Sequence, residues 1–345
     1  MKYADLAQAQ ANVLIDLMKE GKPFLPFLKP GDPSTVNGLP YNAKTGKAYR
    51  GGNRVMLWIA GMVNHFEDNR WLTYKQAQEV GAQVKKGAKS IPLRYVMFPD
   101  GREAEGAAIV QPTQQNGASP KAWMDKPRTF FFNVFNAEQI DGLPPPPKRP
   151  ETTPHQRIER CEQLVKDSGA VVVHGAGGPH YAPKSDKIGM PYPERFVSSE
   201  AYYAALTHEL AHWTGHESRL ARDLSGAFGS ESYAREEVFA ELASHIMGVE
   251  LQIGHDPTQH AAYIHHWIKI AQEDPSFMYT AATSAEKICD FVGLERYSYE
   301  PMPLVEQANE VEDEVSVAPS AVNIPSLESV SVAVRERPSD VSLSM

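Results

Sequence analysis

The sequence predicts an α+β protein in two parts, a small α+β domain followed by a mainly helical one, on three observations. Its 345 residues exceed the span of a typical single domain, ~100–150 residues. A Pro-rich run, Leu143-Pro-Pro-Pro-Pro-Lys148-Arg-Pro, cannot continue a helix or a central strand and reads as a stiff connector. Charge divides at the same place. Residues 1–150 hold 20 Lys and Arg against 13 Asp and Glu, a net +7, while residues 151–345 hold 14 against 30, a net −16. A basic front half beside an acidic back half points to a polyanion partner for the front alone.

The expected boundaries are therefore 1–142 for the first domain, 143–153 for the connector, 154–301 for the second domain and 302–345 for a tail. In the front part Leu6, Val13, Leu14, Leu17 and Met18 recur at helical spacing up to Gly21. A second helix starts at Asn53 after Gly51-Gly52 and runs toward His65. Strands are expected over 91–98, 107–111 and 130–135, separated by Pro, Gly, Asp and Asn turns. Beyond the connector come a helix over 156–167, a β-branched strand over 170–174 and a turn-rich stretch over 175–193 with edge strands. Helices then dominate, over 200–213, 233–251, 258–273 and 283–292. From about residue 302 the chain is Ser, Val, Glu and Pro with an acidic cluster at 310–314, too poor in large apolar residues to build a core.

Composition excludes several classes. Hydrophobic content of 42%, charged content of 22% and a mean hydropathy of −0.41 are those of a soluble globular chain. The longest apolar stretches fall far short of the ~18 residues of a membrane span. Asp5, Asp16 and Glu20 interrupt the first 22 residues, unlike the basic-then-apolar plan of a signal peptide, so export is not expected. Two cysteines, Cys161 and Cys289, are too few for a disulfide framework or a four-cysteine zinc site, and a reducing cytoplasm is the expected compartment.

The sharpest chemical signal is Thr207-His208-Glu209-Leu210-Ala211-His212, an HExxH motif within a helical stretch. His208 and His212 are four apart, so their imidazoles project from one helix face and can close on a single Zn²⁺. Glu209, turned ~100° from His208, lies beside the metal, where it can take a proton from water. A catalytic zinc needs a third protein ligand. His216 is one candidate, although the metzincin pattern HExxHxxGxxH would need its third histidine where Ser218 stands. The other candidates lie in Arg235-Glu236-Glu237-Val238-Phe239-Ala240-Glu241, where Glu237 and Glu241 are again four apart. This stretch resembles the glutamate helix of thermolysin-like enzymes, Glu-x-x-x-Asp. That resemblance implies Glu237 as the third ligand and Glu241 as acceptor for the ring N–H of His208; Glu241, Glu236 and His216 stay open as alternative third ligands. His245, His255, His260, His265 and His266 lack ligand spacing to the motif and read as surface or core histidines.

In the front half, the segment from Lys44 through Lys47, Tyr49, Arg50 and Gly51-Gly52 to Arg54 concentrates four cations, an aromatic and three glycines just before a helix. Such a turn suits phosphate, because backbone amides and a helix N-terminus converge on it. A second basic turn carries Lys85, Lys86 and Lys89. With Tyr49, Trp71 and Tyr74 nearby, the pattern is that of cations tracking a nucleic-acid backbone with aromatic faces for unstacked bases. Trp58 reads as core.

Taken together, these motifs resemble the ArdC-type antirestriction proteins over roughly residues 5–300. In the front half the resemblance rests on Tyr41-Asn42 with Lys44-Thr-Gly, Arg50-Gly-Gly-Asn53, Trp71-Leu-Thr73-Tyr, Gly81 with Val84-Lys-Lys-Gly87, and Val134-Phe-Asn136-Ala-Glu138-Gln139. In the back half it rests on Asp186-Lys-Ile188-Gly-Met-Pro191, His208 to His216, and Tyr233-Ala-Arg-Glu-Glu237 with Ala240-Glu241. The resemblance implies a domain that binds single-stranded DNA joined to a zincin-like metallopeptidase domain, in a mobile-element protein that shields incoming DNA from host restriction. Its implied partners are single-stranded DNA and a host restriction protein as peptidase target, with no membrane. A rival expectation is a DNA-binding decoy whose zinc is purely structural. Intact Glu209 favours catalysis, since a structural site has no use for a carboxylate beside the metal.

Overall fold

The computed structural model describes residues 3–20, 38–97, 128–227, 229–255 and 264–304. The strand expected over 107–111, the start of the helix expected over 258–273 and the tail beyond residue 304 lie outside these residues. The front half contains helix α1 (Tyr3–Lys19), strand β1 (Tyr41–Asn42), helix α2 (Gly51–Asn64), strand β2 (Arg70–Leu72), helix α3 (Tyr74–Glu79) and strands β3 (Gln83–Val84), β4 (Ile91–Met97), β5 (Arg128–Asn136) and β6 (Ile140–Asp141). The back half contains helix α4 (Pro154–Ser168), strands β7 (Val171–His174), β8 (His180–Ala182) and β9 (Lys187–Met190), and helices α5 (Ser199–Trp213), α6 (Glu231–Leu251), α7 (Ile264–Glu273) and α8 (Phe277–Phe291). Mixed α+β architecture follows the expectation. No helix among the described residues is long and apolar enough to cross a membrane.

The front sheet runs β1-β2-β5-β4, parallel between β1 and β2 and antiparallel elsewhere. β3 and β6 form a separate antiparallel pair. In the back half β9 lies between β7, parallel to it, and β8, antiparallel to it, and Ile188 and Met190 turn inward beneath α5. Local chemistry sets the helix starts. Thr73 with Gln76, and Thr153 with Gln156, form reciprocal capping boxes at α3 and α4, and Pro154 occupies the first turn of α4, where no N–H is needed. Ser198 and Ser230 accept backbone N–H groups at the starts of α5 and α6.

The two halves share one buried core. Leu14, Ile15 and Met18 of α1 and Val55 and Ile59 of α2 belong to the same buried cluster as α5 to α8. Gly52 permits a close approach: a Cβ there would lie 1.9 Å from the Tyr279 ring of α8. The connector is docked as well. Arg149 is buried, donating to the carbonyls of Val249 and Glu250 and to the Glu250 carboxylate at 2.9 Å, while Gln252 donates to the carbonyl of Pro150. Proline stiffness makes the segment extended but does not keep it in solvent. Its one buried cation has a carboxylate to meet.

Glu286 of α8 binds the two halves most directly. It pairs with Arg54 Nη1 at 2.8 Å and Arg296 Nη2 at 2.9 Å, and accepts hydrogen bonds from Arg50 Nε at 3.0 Å and the amide N–H of Gly51 at 3.0 Å. Asp290, one turn on, also meets Arg50. Burial alone would raise the Glu286 carboxyl pKa, but Arg54, Arg296 and Arg50 outweigh it and hold the group below the usual carboxylate range. A carboxyl lowered in the folded state contributes stability above its unfolded pKa of ~4.3, and that contribution is lost as the pH falls through the folded value. Glu286→Gln should therefore destabilise the protein at neutral pH by ~3–5 kcal/mol, because it strands buried guanidinium charge. Urea unfolding across a pH series should show the gap to the parent closing below about pH 4.

Candidate metal centre

Helix α5 carries the HExxH motif and α6 crosses it, each helix started by a serine cap. Among the described residues, His208, His212 and Glu237 form the one cluster of potential ligands whose donor atoms all lie within 4.8 Å of one another. His208 Nε2 and His212 Nε2 face each other at 3.1 Å, and the Glu237 carboxylate lies 3.6 Å from the first and 3.4 Å from the second. Two ring nitrogens converging at that distance cannot, on their own, both present lone pairs or both present protons. Either one ring donates its N–H to the other, or a cation takes both lone pairs.

The outer side of each ring is also held. His212 Nδ1 lies 3.2 Å from Glu236, and His208 Nδ1 lies 3.7 Å from Glu241, so successive turns of α6 supply a carboxylate to each motif histidine. Glu241 has a second neighbour, with its other oxygen 3.4 Å from His255 Nε2. Burial works against protonating either imidazole. Glu241 and Glu237 overcome it at His208, and Glu236 and Glu237 overcome it at His212, raising both pKa values, His212 well above the ordinary range. Glu237 is correspondingly held far below the carboxylate range by the two rings, against the effect of its own burial. This donor set, two imidazole nitrogens and a carboxylate with their counter-charges already placed, fits a divalent ion of the zinc or manganese type. Glu209 is buried beside the pair, and its charge acts on both rings.

Of the alternative third ligands, His216 pairs with Ser218 at 2.8 Å, away from the cluster, and Glu236 faces the outer nitrogen of His212. Sequence reasoning missed Arg222 altogether and read His255 as an ordinary histidine. Arg222 forks onto both oxygens of Glu236, at 2.9 and 2.7 Å. Neither residue has helical spacing to the motif, since both arrive on loops.

The basic patch is only partly where the sequence put it. Tyr49 and Trp71 are 1% exposed and belong to a hydrophobic cluster, and Arg54, also 1% exposed, is committed to Glu286 and to the carbonyl of Tyr49. These three lie in the core. Arg50 is tied to Glu286 and Asp290, and Lys44 to Glu79 at the end of α3. Lys47, Lys86 and Lys89 are exposed, as is Lys85, which donates to the carbonyl of Glu138 at 2.9 Å. Tyr74 is 44% exposed, and its hydroxyl meets Gln83 of β3. A narrower surface, Tyr74 with Lys85, Lys86 and Lys89, survives around α3 and β3.

Both halves match known family models. Residues 4–135 match the N-terminal domain of anti-restriction factor ArdC, and residues 159–284 match a zincin-like metallopeptidase. The chain is 46% and 45% identical over 287 residues to two Escherichia coli proteins named DNA primase TraC. Those matches cover 82% of this chain but only 19% and 26% of theirs, so it spans about a fifth to a quarter of their length. The uncharacterized protein y4eC of Sinorhizobium fredii is 36% identical over 259 residues, 73% of this chain and 80% of its own. Two crystal structures of antirestriction protein ArdC from plasmid R388 are similar in fold at 30% identity, each covered over 97% of its length. The metal-free form has a TM-score of 0.65 over 84% of this chain, and the Mn(II)-bound form 0.64 over 85%.

Metal content should follow the geometry. His208→Ala, His212→Ala and Glu237→Ala should each abolish stoichiometric metal in the purified protein, as read by elemental analysis. Glu209→Gln should retain it, because Glu209 is not among the converging donors. Retention by Glu237→Ala together with loss in Glu241→Ala would move the third ligand one turn along α6.

Proposed function

The chain belongs to the ArdC family of antirestriction proteins, and on that premise we propose that it protects incoming DNA from host restriction by joining a grip on single-stranded DNA to a zinc-dependent peptidase. One observation carries the peptidase reading: His208, His212 and Glu237 converge in a zincin-like domain that keeps Glu209 beside them. The primase named in the longer relatives belongs to those proteins, most of whose length this chain does not cover.

His208, His212 and Glu237 would hold the zinc. Bound there, zinc supplies Lewis acidity, polarising a peptide carbonyl and lowering the pKa of water. Glu209 accepts a proton from the attacking water and returns it to the leaving amine. Glu236 accepts the outer N–H of His212, and Glu241 places its charge 3.7 Å from the outer nitrogen of His208, which favours the inner nitrogens as the metal donors. The substrate proposed is a host restriction protein, and the compartment the recipient cytoplasm.

On the front half the DNA grip is proposed to be Lys47, Tyr74, Lys85, Lys86 and Lys89, with Tyr74 as the exposed stacking face. Removing the charge of these four lysines should flatten the salt dependence of single-strand binding by about 3 in the log–log slope, since each phosphate contact contributes roughly 0.7. An unchanged slope would put the grip elsewhere. For the peptidase, transfer of unmodified DNA into a restricting recipient should be protected by the parent and not by Glu209→Gln. Equal protection by that variant would favour the decoy, with its metal serving only structure.

A further inference from the structure

The guanidinium of Arg222 lies outside the cluster of donors yet is bonded into it. Its Nε and Nη2 fork onto the two oxygens of Glu236 at 2.9 and 2.7 Å, its Nη1 donates to Thr214 Oγ1 at 2.8 Å, and Nη2 also donates to the carbonyl of Ala211 at 2.7 Å. Ala211 and Thr214 flank His212 at the end of α5, so one planar group joins the motif helix to the carboxylate that faces His212 Nδ1 at 3.2 Å. We propose that Arg222 is a positioning residue of the metal centre, locking the plane of Glu236 so that His212 keeps its N–H on Nδ1 and presents Nε2 to the ion. The proposal rests on the reading of His208, His212 and Glu237 as a metal site.

The surrounding chain is shaped for this contact. Ala221 adopts a left-handed φ of 48°, a conformation that disfavours any residue but glycine, and so turns the following residue back onto α5. Gly215 leaves room for the fork: a Cβ there would stand 2.9 Å from Arg222 Nη2 and 3.0 Å from the His212 carbonyl. Charge gives the physical reason. Glu236 is buried, and His212 alone, meeting one of its oxygens, would leave its charge undercompensated and its last torsion unfixed. A bidentate guanidinium compensates the charge and removes the rotation together. Lysine, a point donor on a flexible stem, can restore the first and not the second.

The test uses the full chain with Co(II) as sole probe, titrated calorimetrically and read by its visible d–d spectrum. Arg222→Met should weaken Co(II) binding roughly 10- to 100-fold and alter the spectrum of the saturated protein, the loss typical of removing a residue that holds a metal ligand. Arg222→Lys should recover part of the affinity. Glu236→Gln should weaken binding comparably, and the double variant should bind no worse than the weaker single one, because the two side chains act as a unit. A purely structural role for Arg222 would lower the melting temperature while leaving Co(II) affinity within twofold and the spectrum unchanged, and that result overturns the proposal. Should Arg222→Met fail to fold, Arg222→Lys and Glu236→Gln decide it, normal affinity in both being the overturning result. His208→Ala separates the two levels of the argument. If it binds Co(II) like the parent, the centre itself is misassigned; if it loses Co(II) while the Arg222 variants keep it, only the role of Arg222 fails.

Discussion

Helix α6 buries four carboxylates, Glu236, Glu237, Glu241 and Glu250, and much of the surrounding structure can be understood as the set of groups that make this tolerable. An ionised carboxylate taken out of water carries a penalty of several kcal/mol unless opposite charge and hydrogen bonds meet it. Glu237 is met by both motif histidines, Glu236 by His212 and Arg222, Glu241 by His208 and His255, and Glu250 by Arg149 and the amide of Tyr297. The metal centre, the loop after α5, the loop after α6, the connector and the segment after α8 are each drawn to this one helix by a charge it cannot leave exposed. A divalent ion held by His208, His212 and Glu237 would add to the same compensation.

The fold also explains why a basic front half and an acidic back half do not simply separate. Part of the front half's positive charge is not offered to solvent: Arg50 and Arg54 are turned inward to Glu286 and Asp290, and Arg149 to Glu250. The net charge of each half overstates what a polyanion could meet. Exposed lysines on the turns after β1 and β3 remain, and these are the residues a nucleic-acid reading has left to work with.

How much of this was legible in the sequence depends on the range of the interaction. HExxH is a local pattern, with two rings one helical turn apart, and α5 forms around it as periodicity and the Ser198 cap require. Glu237 was legible through its own four-residue spacing and the resemblance of its helix, and the structure brings it to the two histidines. Arg222 and His255 carried no signal, because a loop residue reaches a site through tertiary folding that no short period records. The burial of Tyr49, Arg54 and Trp71 was hidden for the same reason. An arginine beside glycines before a helix looks alike whether it awaits a phosphate or already faces a glutamate from the far end of the chain. Among the strands, β4 and β5 showed in their apolar content, whereas β1, β3 and β6, two residues each, are too short to display an alternation.

The ion cluster at Glu286 bears on how such a protein can change over generations. Arg50 and Arg54 come from one half of the gene, Glu286, Asp290 and Arg296 from the other, and each side is buried on the assumption that its complement is present. A crossover between diverged genes at the connector would mix one relative's arginines with another's acids, and any mismatch would leave uncompensated charge in the core. The two halves are thus under pressure to be inherited together, as a single cassette, even where that cassette sits inside a much longer reading frame.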